Sequence, residues 1–246
     1  MSTLHEHHCG SNHYSVRQHG GSMRLYTNGV FHSQWNENRP FSGGIWDCLS
    51  LPVLYRDEMT QSRALVLGVG GGAALRQLAL LRPAMSIVGV EYDAEHIVLA
   101  RRYFGLDDIG AELVEGDARA MLAGWNGEPF DLLVDDLFGH VDGRPERAVP
   151  MSDAWVATLA HNIGDAGLLV VNTIARHELA EAAAVLADHG FGEAMRWSLP
   201  AYENAIGVFS REALDAREWT RRLDTLALPS ACKRAARNTV RRRLRQ

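Results

Sequence analysis

The chain has 246 residues, of which 46% are hydrophobic and 22% are charged, and its formal net charge at pH 7 is −5. This composition is typical of a globular protein, and the length fits one α/β domain with an appended segment. The negative charge excludes a general electrostatic attraction to nucleic acids or anionic membranes. No apolar run reaches the ~20 residues of a membrane span, and no signal-peptide core is present, so we expect a cytoplasmic protein.

A polar, histidine-rich segment covers residues 1–21 and includes Cys9. A segment of this composition cannot build a hydrophobic core, so a mobile tail is predicted. Its histidine and cysteine spacing matches no closed metal site. The chain has three cysteines, an odd number without metal-ligand spacing. We therefore expect neither a metal ion nor a disulfide framework.

Residues 22–60 form the next predicted unit. Two β-prone runs flank Asn28-Gly29, a dipeptide that accommodates the two positive φ angles of a type I′ turn, so a hairpin over residues 24–33 is predicted. A short helix within residues 45–54 is expected to break near Pro52. This β-rich extension would cover the mouth of a ligand site or pair with a second subunit.

Residues 61–228 alternate strand and helix patterns in the manner of a doubly wound, mostly parallel α/β sheet. Asp93 is expected to cap a helix, because its carboxylate can accept the free N–H groups of the first turn. Residues 137–150 are too polar for a core and form either a lid over the site or a plain surface loop. The predicted strands cover residues 64–67, 86–91, 111–116, 130–134, 168–171, 193–198 and 204–209, and helices are predicted over residues 93–103, 152–163 and 176–189.

A glycine-rich turn lies in residues 64–76, where four apolar residues lead into glycines and then into helix formers. The spacing Gly68-x-Gly70-x-x-Ala73 fits the G-x-G-x-x-G/A turn, in which glycine admits positive φ and lets a ligand approach the backbone. Glu91 ends a second buried strand about 20 residues on, the spacing of an acidic residue that binds ribose hydroxyls. A nucleoside-binding βαβ unit is therefore predicted. The alternative is a structural turn with a solvated Glu91.

Acidic residues follow two further predicted strands, with Asp117 after the third strand and Asp135 and Asp136 after the fourth. Ligands of open α/β sheets bind outside the carboxyl ends of the strands. We therefore expect Gly71, Glu91, Asp117 and Asp135 to converge on one crevice.

Several motifs then follow one another in a recognisable order: the Asn28-Gly29-Val30 turn, the glycine loop, Glu91 and residues 116–119, 130–135, 153–155 and 167–172. Together they resemble the S-adenosylmethionine-binding transferases and, within them, the spermidine synthase-like family. The resemblance covers roughly residues 24–210. It implies a seven-stranded Rossmann-like methyltransferase fold and a homodimer.

The resemblance also implies site residues. Asp135 would be the catalytic carboxylate, which holds an acceptor ammonium, takes its proton and aligns the nitrogen. The co-substrate would be S-adenosylmethionine or decarboxylated S-adenosylmethionine, and no metal is required. The nucleoside would be bound by Gly68, Gly70, Gly71, Gly72, Glu91 at the ribose, and Asp117 with Ala118 at the adenine.

The chain departs from the family in the half that would bind the acceptor. Spermidine synthases carry an Asp in the glycine loop where this chain has Gly71, and their catalytic Asp is followed by Ser or Thr where this chain has Asp136. Other family positions hold Trp46, Asp47 and His32. We take Asp136, Trp46, Asp47 and His32 as tentative substrate-binding residues.

These observations leave several functions open. The preferred one is methyl transfer to a small, amine acceptor, because the carboxylate that would meet an aminopropyl amine is absent. The alternative is a true aminopropyltransferase that makes a polyamine, with Asp136, Asp142 or Asp47 replacing the lost anchors. A nicotinamide-dependent oxidoreductase and a nucleoside-binding protein without turnover are further alternatives.

A basic segment ends the chain at residues 229–246. Clustered arginines can neutralise phosphates, which would indicate RNA binding. A solvated helix that packs through Ala235, Val240 and Leu244 is the preferred interpretation, and a nucleic-acid partner is not expected.

Overall fold

A computed structural model of the chain describes residues 2–141 and 144–244. These residues form an N-terminal four-stranded antiparallel sheet, a central eight-stranded sheet with helices on both faces, and a separate two-stranded hairpin. The strands are β1 Ser2–Cys9, β2 Asn12–His19, β3 Ser22–Thr27, β4 Val30–Trp35, β5 Arg63–Leu67, β6 Ser86–Glu91, β7 Glu112–Glu115, β8 Phe130–Asp135, β9 Phe138–Val141, β10 Arg144–Arg147, β11 Ile163–Thr173, β12 Glu193–Ser198, β13 Ala205–Ser210 and β14 Val240–Arg243. The helices are α1 Ile45–Ser50, α2 Ala73–Leu81, α3 Ala94–Phe104, α4 Ala118–Ala123, α5 Asp153–His161, α6 Arg176–Asp188, α7 Ala216–Thr225 and α8 Ser230–Arg237.

The central sheet has the strand order β14-β12-β13-β11-β8-β5-β6-β7. Strands β7, β6, β5, β8 and β11 pair in parallel, whereas β13, β12 and β14 join by antiparallel pairing. The predicted doubly wound, mostly parallel sheet is thus confirmed, with eight strands in place of seven. The carboxyl ends of its parallel strands share one edge, as the prediction of a common crevice requires.

The histidine-rich segment is a correction to the prediction, because residues 2–19 form strands β1 and β2 instead of a mobile tail. Strand β2 pairs with β3, and the β3–β4 turn has positive φ at Asn28 and Gly29, as predicted. Tyr14 and Val16 alternate with polar residues and are buried against α3. These two side chains provide the apolar contact that orders the segment.

The basic C-terminal segment is also a correction, because only its first part is helical. After α8 the chain forms β14, which covers the otherwise unpaired edge of β12. Arg241 lies over the ring of Trp219, 3.9 Å from the centroid, so its aliphatic stem packs on the core while its charge meets an aromatic face. An unpaired edge strand is a liability, and this pairing removes it.

The two faces of the central sheet carry separate hydrophobic clusters. Leu132 and Val134 of β8 pack toward α1 and α2, whereas Leu133 packs toward α5 and α6. Side chains alternate along a strand, so Asp135 follows Leu133 and Asp136 follows Val134. This alternation sends two consecutive carboxylates in opposite directions.

Within residues 2–141 and 144–244, no helix is both long and apolar enough to cross a membrane.

Candidate active site

A cavity of about 330 Å³ opens where strands β5, β6, β8 and β11 end. Its walls come from the loops after these strands, the β3–β4 hairpin, helix α1, the β9–β10 hairpin and the loop before β13. Both hairpins therefore contribute residues to the lining of the cavity. The lining side chains and loop residues are Val30, Phe31, His32, Ile45, Trp46, Gly68, Val69, Gly70, Glu91, Tyr92, His96, Asp136, Leu137, Phe138, Gly139, Pro145, Ala148, Asn172, Tyr202 and Asn204.

The glycine loop forms the floor of one side of this cavity. Gly68 has a φ of 86°, and a Cβ at this position would collide with the backbone carbonyl of Asp136. Only glycine permits that approach. The glycine loop and the loop that carries Asp136 therefore lie in direct contact.

Glu91 lies beside the glycine loop and is 8% exposed. Its Oε2 accepts hydrogen bonds from the backbone N–H groups of Val69 (2.9 Å) and Gly70 (2.8 Å), and its Oε1 accepts one from Asp93 (3.0 Å). Burial alone would raise the pKa of Glu91, but nearby His96 and the backbone donors outweigh it and lower the pKa to about 2. The carboxylate is thus charged near neutral pH.

His96, in the first turn of α3, also lines the cavity and was not among the site residues predicted from the sequence. Its Nδ1 lies 3.8 Å from Glu91 Oε1, and its Nε2 lies 2.7 Å from the hydroxyl of Thr27 on β3. Burial lowers the pKa of His96, but the carboxylates of Glu91 and Asp93 raise it above its usual value. His96 lies three residues before buried Leu99 and therefore on the same face of α3. This spacing was the sequence signal that His96 points inward.

Gly71 and Gly72 are buried outside the cavity lining. A Cβ on Gly71 would lie 2.8 Å from Cβ of Ser33 and 3.1 Å from Cε1 of Phe104. Strand β4 and helix α3 thus fill the space that an Asp would need. A side chain at this position would therefore require Ser33 or Phe104 to move.

Asp117 and Ala118 also lie outside the cavity lining. Asp117 caps α4 and pairs with Arg119, whose Nη2 lies 2.6 Å from Oδ2. This ion pair lowers the pKa of Asp117. Ala118 is buried in the sheet core. Neither residue lines the cavity, and their predicted contacts with adenine stay a prediction.

Asp135, the expected catalytic carboxylate, does not line the cavity, and its catalytic role stays a prediction. It is fully buried, and its Oδ2 accepts hydrogen bonds from Trp155 Nε1 and Arg147 Nη2, each at 2.8 Å. Arg147 also donates to the backbone carbonyls of Val149 and Asn172. Asp135 therefore anchors the β9–β10 hairpin that covers the site.

Asp136, unlike its neighbour Asp135, lines the cavity. Its Oδ1 accepts a hydrogen bond from Asn172 Nδ2 (2.7 Å), and Asn172 Oδ1 in turn accepts one from Asn204 (3.0 Å). Burial raises the pKa of Asp136 to about 7, helped by nearby Asp135 and opposed by Asn172. A carboxyl group that exchanges a proton near neutral pH suits acid–base work.

Of the tentative substrate-binding residues other than Asp136, two line the cavity and one does not. Trp46 and His32 line the cavity, and Trp46 packs edge-on against Phe31 with centroids 5.2 Å apart. Asp47 is a correction, because it is 1% exposed, does not line the cavity, and accepts hydrogen bonds from Gln77 (2.7 Å) and the backbone of Gly43 (2.8 Å). Burial raises the pKa of Asp47 to about 7.

Asp136, Asp142 and Asp47 were the residues predicted to replace the lost anchors. Asp136 lines the cavity, Asp47 does not, and Asp142 lies outside the described residues. Tyr202 and Asn204 also line the cavity and were not among the predicted site residues, and Asn172 was predicted only as the last residue of a motif. In residues 2–141 and 144–244, no group of three His, Cys, Asp or Glu side chains is placed to hold a metal ion.

No protein-family model matches the chain. "Polyamine aminopropyltransferase 2" of Caldanaerobacter subterraneus subsp. tengcongensis is 30% identical over 119 residues, which cover 47% of this chain and 39% of that protein. "Polyamine aminopropyltransferase" of Vibrio vulnificus is 29% identical over 141 residues, 56% of this chain and 46% of the relative. The chain therefore spans less than half the length of these curated relatives.

Solved structures match over more of the chain. A probable spermidine synthase from Corynebacterium glutamicum has a TM-score of 0.72 at 17% identity and covers 96% of this chain and 93% of its own. Spermidine synthase from Thermotoga maritima has a TM-score of 0.65 at 14% identity, with 96% and 87% covered. Human methyltransferase-like protein 13, in complex with SAH, has a TM-score of 0.54 at 18% identity, with 80% and 89% covered.

The Rossmann-like methyltransferase fold and the resemblance to the spermidine synthase-like family are confirmed by these likenesses. At such identities the structural matches establish the fold alone.

Proposed function

We propose that this chain is an S-adenosylmethionine-type transferase that moves an aminopropyl group from decarboxylated S-adenosylmethionine to a small amine. The observation that carries the proposal is the cavity carboxyl of Asp136, with a pKa of about 7, directly beside the glycine loop. One cavity thereby joins a nucleoside loop to a group that can accept a proton.

The similar proteins favour aminopropyl transfer over the methyl transfer preferred from the sequence. Both curated relatives described above carry the name polyamine aminopropyltransferase, and another neighbour at a TM-score of 0.64 is a spermidine synthase in complex with the transition-state analogue AdoDATO. Methyl transfer is the second candidate, because Gly71 leaves no room for the family carboxylate that would meet the aminopropyl amine.

The nucleoside side of the cavity suits a ribose. Glu91 keeps a full negative charge next to the glycine loop, and its carboxylate can accept ribose hydroxyls. When bound, the sulfonium nucleoside supplies an alkyl group whose carbon–sulfur electron pair leaves with sulfur as a neutral thioether. The remaining work of the protein is to place and deprotonate the acceptor.

Asp136 would do that work. A primary amine has a pKa near 10 and carries no free lone pair while protonated. The Asp136 carboxylate holds the ammonium, takes one proton and leaves the nitrogen lone pair facing the nucleoside side. Asn172 and Asn204 fix the orientation of this carboxylate, and Trp46 lines the same cavity, where an aromatic ring can attract a cation. Alignment of this kind supplies much of the rate in displacement reactions.

The test is a calorimetric titration of the protein with S-adenosylmethionine, its decarboxylated form and methylthioadenosine, each with and without putrescine. We expect the decarboxylated form to bind more tightly than the methionine form, and putrescine to strengthen its binding. Tighter binding of the methionine form without coupling to putrescine would overturn aminopropyl transfer in favour of methyl transfer. Saturable binding of NAD would overturn both.

The homodimer and the cytoplasmic location implied by the resemblance are further parts of this proposal. Sedimentation velocity of the full chain tests the dimer.

A further inference from the structure

His96 is a buried titratable residue that the transfer reaction does not use. It is 7% exposed and lies between the nucleoside side of the cavity and the N-terminal sheet. Its Nδ1 faces Glu91 Oε1 at 3.8 Å, and its Nε2 is hydrogen-bonded to the Thr27 hydroxyl at 2.7 Å. One side chain thus connects β3 to the carboxylate beside the glycine loop.

The two oxygens of Glu91 are used unequally. A carboxylate oxygen offers about two lone pairs. Both lone pairs of Oε2 accept hydrogen bonds, from the backbone N–H groups of Val69 and Gly70. Oε1 accepts one hydrogen bond, from the backbone N–H of Asp93. At 3.8 Å His96 is an ion-pair partner and is too distant for a hydrogen bond. It therefore stabilises the charge and orientation of Oε1 without consuming the lone pair that a ribose hydroxyl needs.

The side of the His96 imidazole that faces away from Glu91 contacts the N-terminal sheet. Thr27 belongs to β3, and Tyr14 of β2 meets the imidazole edge-on with centroids 5.9 Å apart. Tyr14 also donates a hydrogen bond to Asp93, whose carboxylate lies 3.9 Å from His96 Nε2. His32 of β4 is a further titratable neighbour, with ring centroids 5.0 Å apart. Docking of the sheet thus encloses and orients the imidazole.

We propose that His96 is a positioning residue for nucleoside binding, which transmits the docking of the N-terminal sheet from Thr27 to Glu91 Oε1. The inference rests on the nucleoside-binding part of the proposed function and not on the nature of the transferred group. It gives the N-terminal sheet a second role besides covering the cavity.

The test measures how much the ribose hydroxyls contribute to binding. Methylthioadenosine and its 2′,3′-dideoxy counterpart are titrated into the full-length protein, and the ratio of their dissociation constants reports the hydroxyl contacts alone. A hydrogen bond to a charged acceptor predicts a ratio of about tenfold or more for the natural chain. In His96→Gln, which keeps a donor near Thr27 but loses the contact with Glu91, the ratio should fall toward one.

Thr27→Val removes the hydroxyl from β3 at nearly constant shape and should lower the ratio by about threefold, the size of one neutral hydrogen bond. The matched control is Thr158→Val on α5, whose hydroxyl bonds only within its own helix. Thermal unfolding of each variant identifies any loss of fold, and Thr27→Val provides the test should His96→Gln not fold.

An unchanged ratio in folded His96→Gln or Thr27→Val would overturn the inference, as would equal binding of the two nucleosides by the natural chain. Failure of the proposed transfer has a different signature. If the ratio of dissociation constants falls in the variants as expected but no alkylated amine is formed, the role of His96 stands and the proposed transfer reaction is wrong.

Discussion

The two sides of the cavity differ in how they hold their carboxylates. On the nucleoside side, three backbone N–H groups and His96 fix Glu91 and keep its pKa near 2. On the acceptor side, a side-chain amide holds Asp136, whose pKa is about 7. The first arrangement maintains a constant charge, and the second permits a proton to come and go. This difference supports the proposal that Glu91 binds the nucleoside and that Asp136 exchanges a proton with the acceptor.

A second contrast lies within the acceptor side, between two consecutive residues. Asp135 is enclosed by Arg147 and Trp155, whereas Asp136 faces the cavity. The first carboxylate holds the β9–β10 hairpin in place, and the second is available to a ligand. Substitution of each should therefore change a different property.

The largest effect is expected for Asp136→Asn. Loss of the general base should reduce kcat/KM for the amine by roughly 10²- to 10⁴-fold. The dissociation constant of the nucleoside should stay within about twofold, because Glu91 and the glycine loop are untouched. Steady-state kinetics and calorimetry measure the two quantities. The control is Asp165→Asn, at an exposed position in β11; equal losses in both variants would remove the distinction between the two sides.

Asp135→Asn should instead reduce stability, by about 3 kcal/mol, because it leaves Arg147 buried without its anion. Urea denaturation of the variant and of Arg147→Met measures this loss. Since the two residues are direct partners, the double variant should lose much less than the sum of the single losses. Additive losses would show that the ion pair does not hold the hairpin.

Gly71→Asp tests why the family carboxylate is missing from the nucleoside loop. The new side chain would overlap Ser33 and Phe104, so we expect a loss of about 1–3 kcal/mol in the free energy of unfolding. Ser33→Gly removes one of the two clashes and should restore part of the loss. If Gly71→Asp is as stable as the natural chain and strengthens binding of the decarboxylated nucleoside, the steric explanation is wrong.

The smallest expected effect is a pH dependence of the amine reaction. Asp136 acts as a base only when deprotonated, and its pKa is raised to about 7, so kcat/KM should increase as the pH rises through 7. A fall of about tenfold per pH unit is expected well below that value. Nucleoside affinity should show no matching step there, because Glu91 remains charged. A rate that is flat between pH 6 and 8 would contradict this assignment.

The linked effect on stability has the opposite sign. The folded state binds the Asp136 proton more tightly than the unfolded chain, whose carboxyl has a pKa near 3.8. The resulting stabilisation is fully present below about pH 4 and is lost as the pH rises through 7. Buried Asp47, whose pKa is also raised to about 7, contributes in the same direction. Activity and stability therefore oppose each other in this pH range.

Much of the fold was predictable because its signals are local. The Asn28-Gly29 turn, the Asp93 cap and the buried strands on either side of the glycine loop depend on residues close in sequence. Strands β1, β2 and β14 were missed, and β1 and β14 have no apolar pattern of their own. Strand β1 is stabilised through its neighbour β2, and β14 through the edge of β12.

The site was predictable only in part. Both faces of β8 are buried, so hydrophobicity could not indicate which of Asp135 and Asp136 faces the ligand. The family resemblance favoured the first, whereas the position of Arg147, twelve residues away, determines the arrangement seen here. His96 contacts Thr27 across 69 residues, a separation that no local pattern reports.

The most direct test of the account is the identity of the nucleoside product. The protein is incubated with putrescine and either decarboxylated or intact S-adenosylmethionine, and both products are analysed by mass spectrometry. The account predicts methylthioadenosine together with an amine that has gained one aminopropyl group, formed from the decarboxylated form and abolished in Asp136→Asn. Formation of S-adenosylhomocysteine and a methylated amine from the intact form, with no turnover of the decarboxylated form, would contradict it.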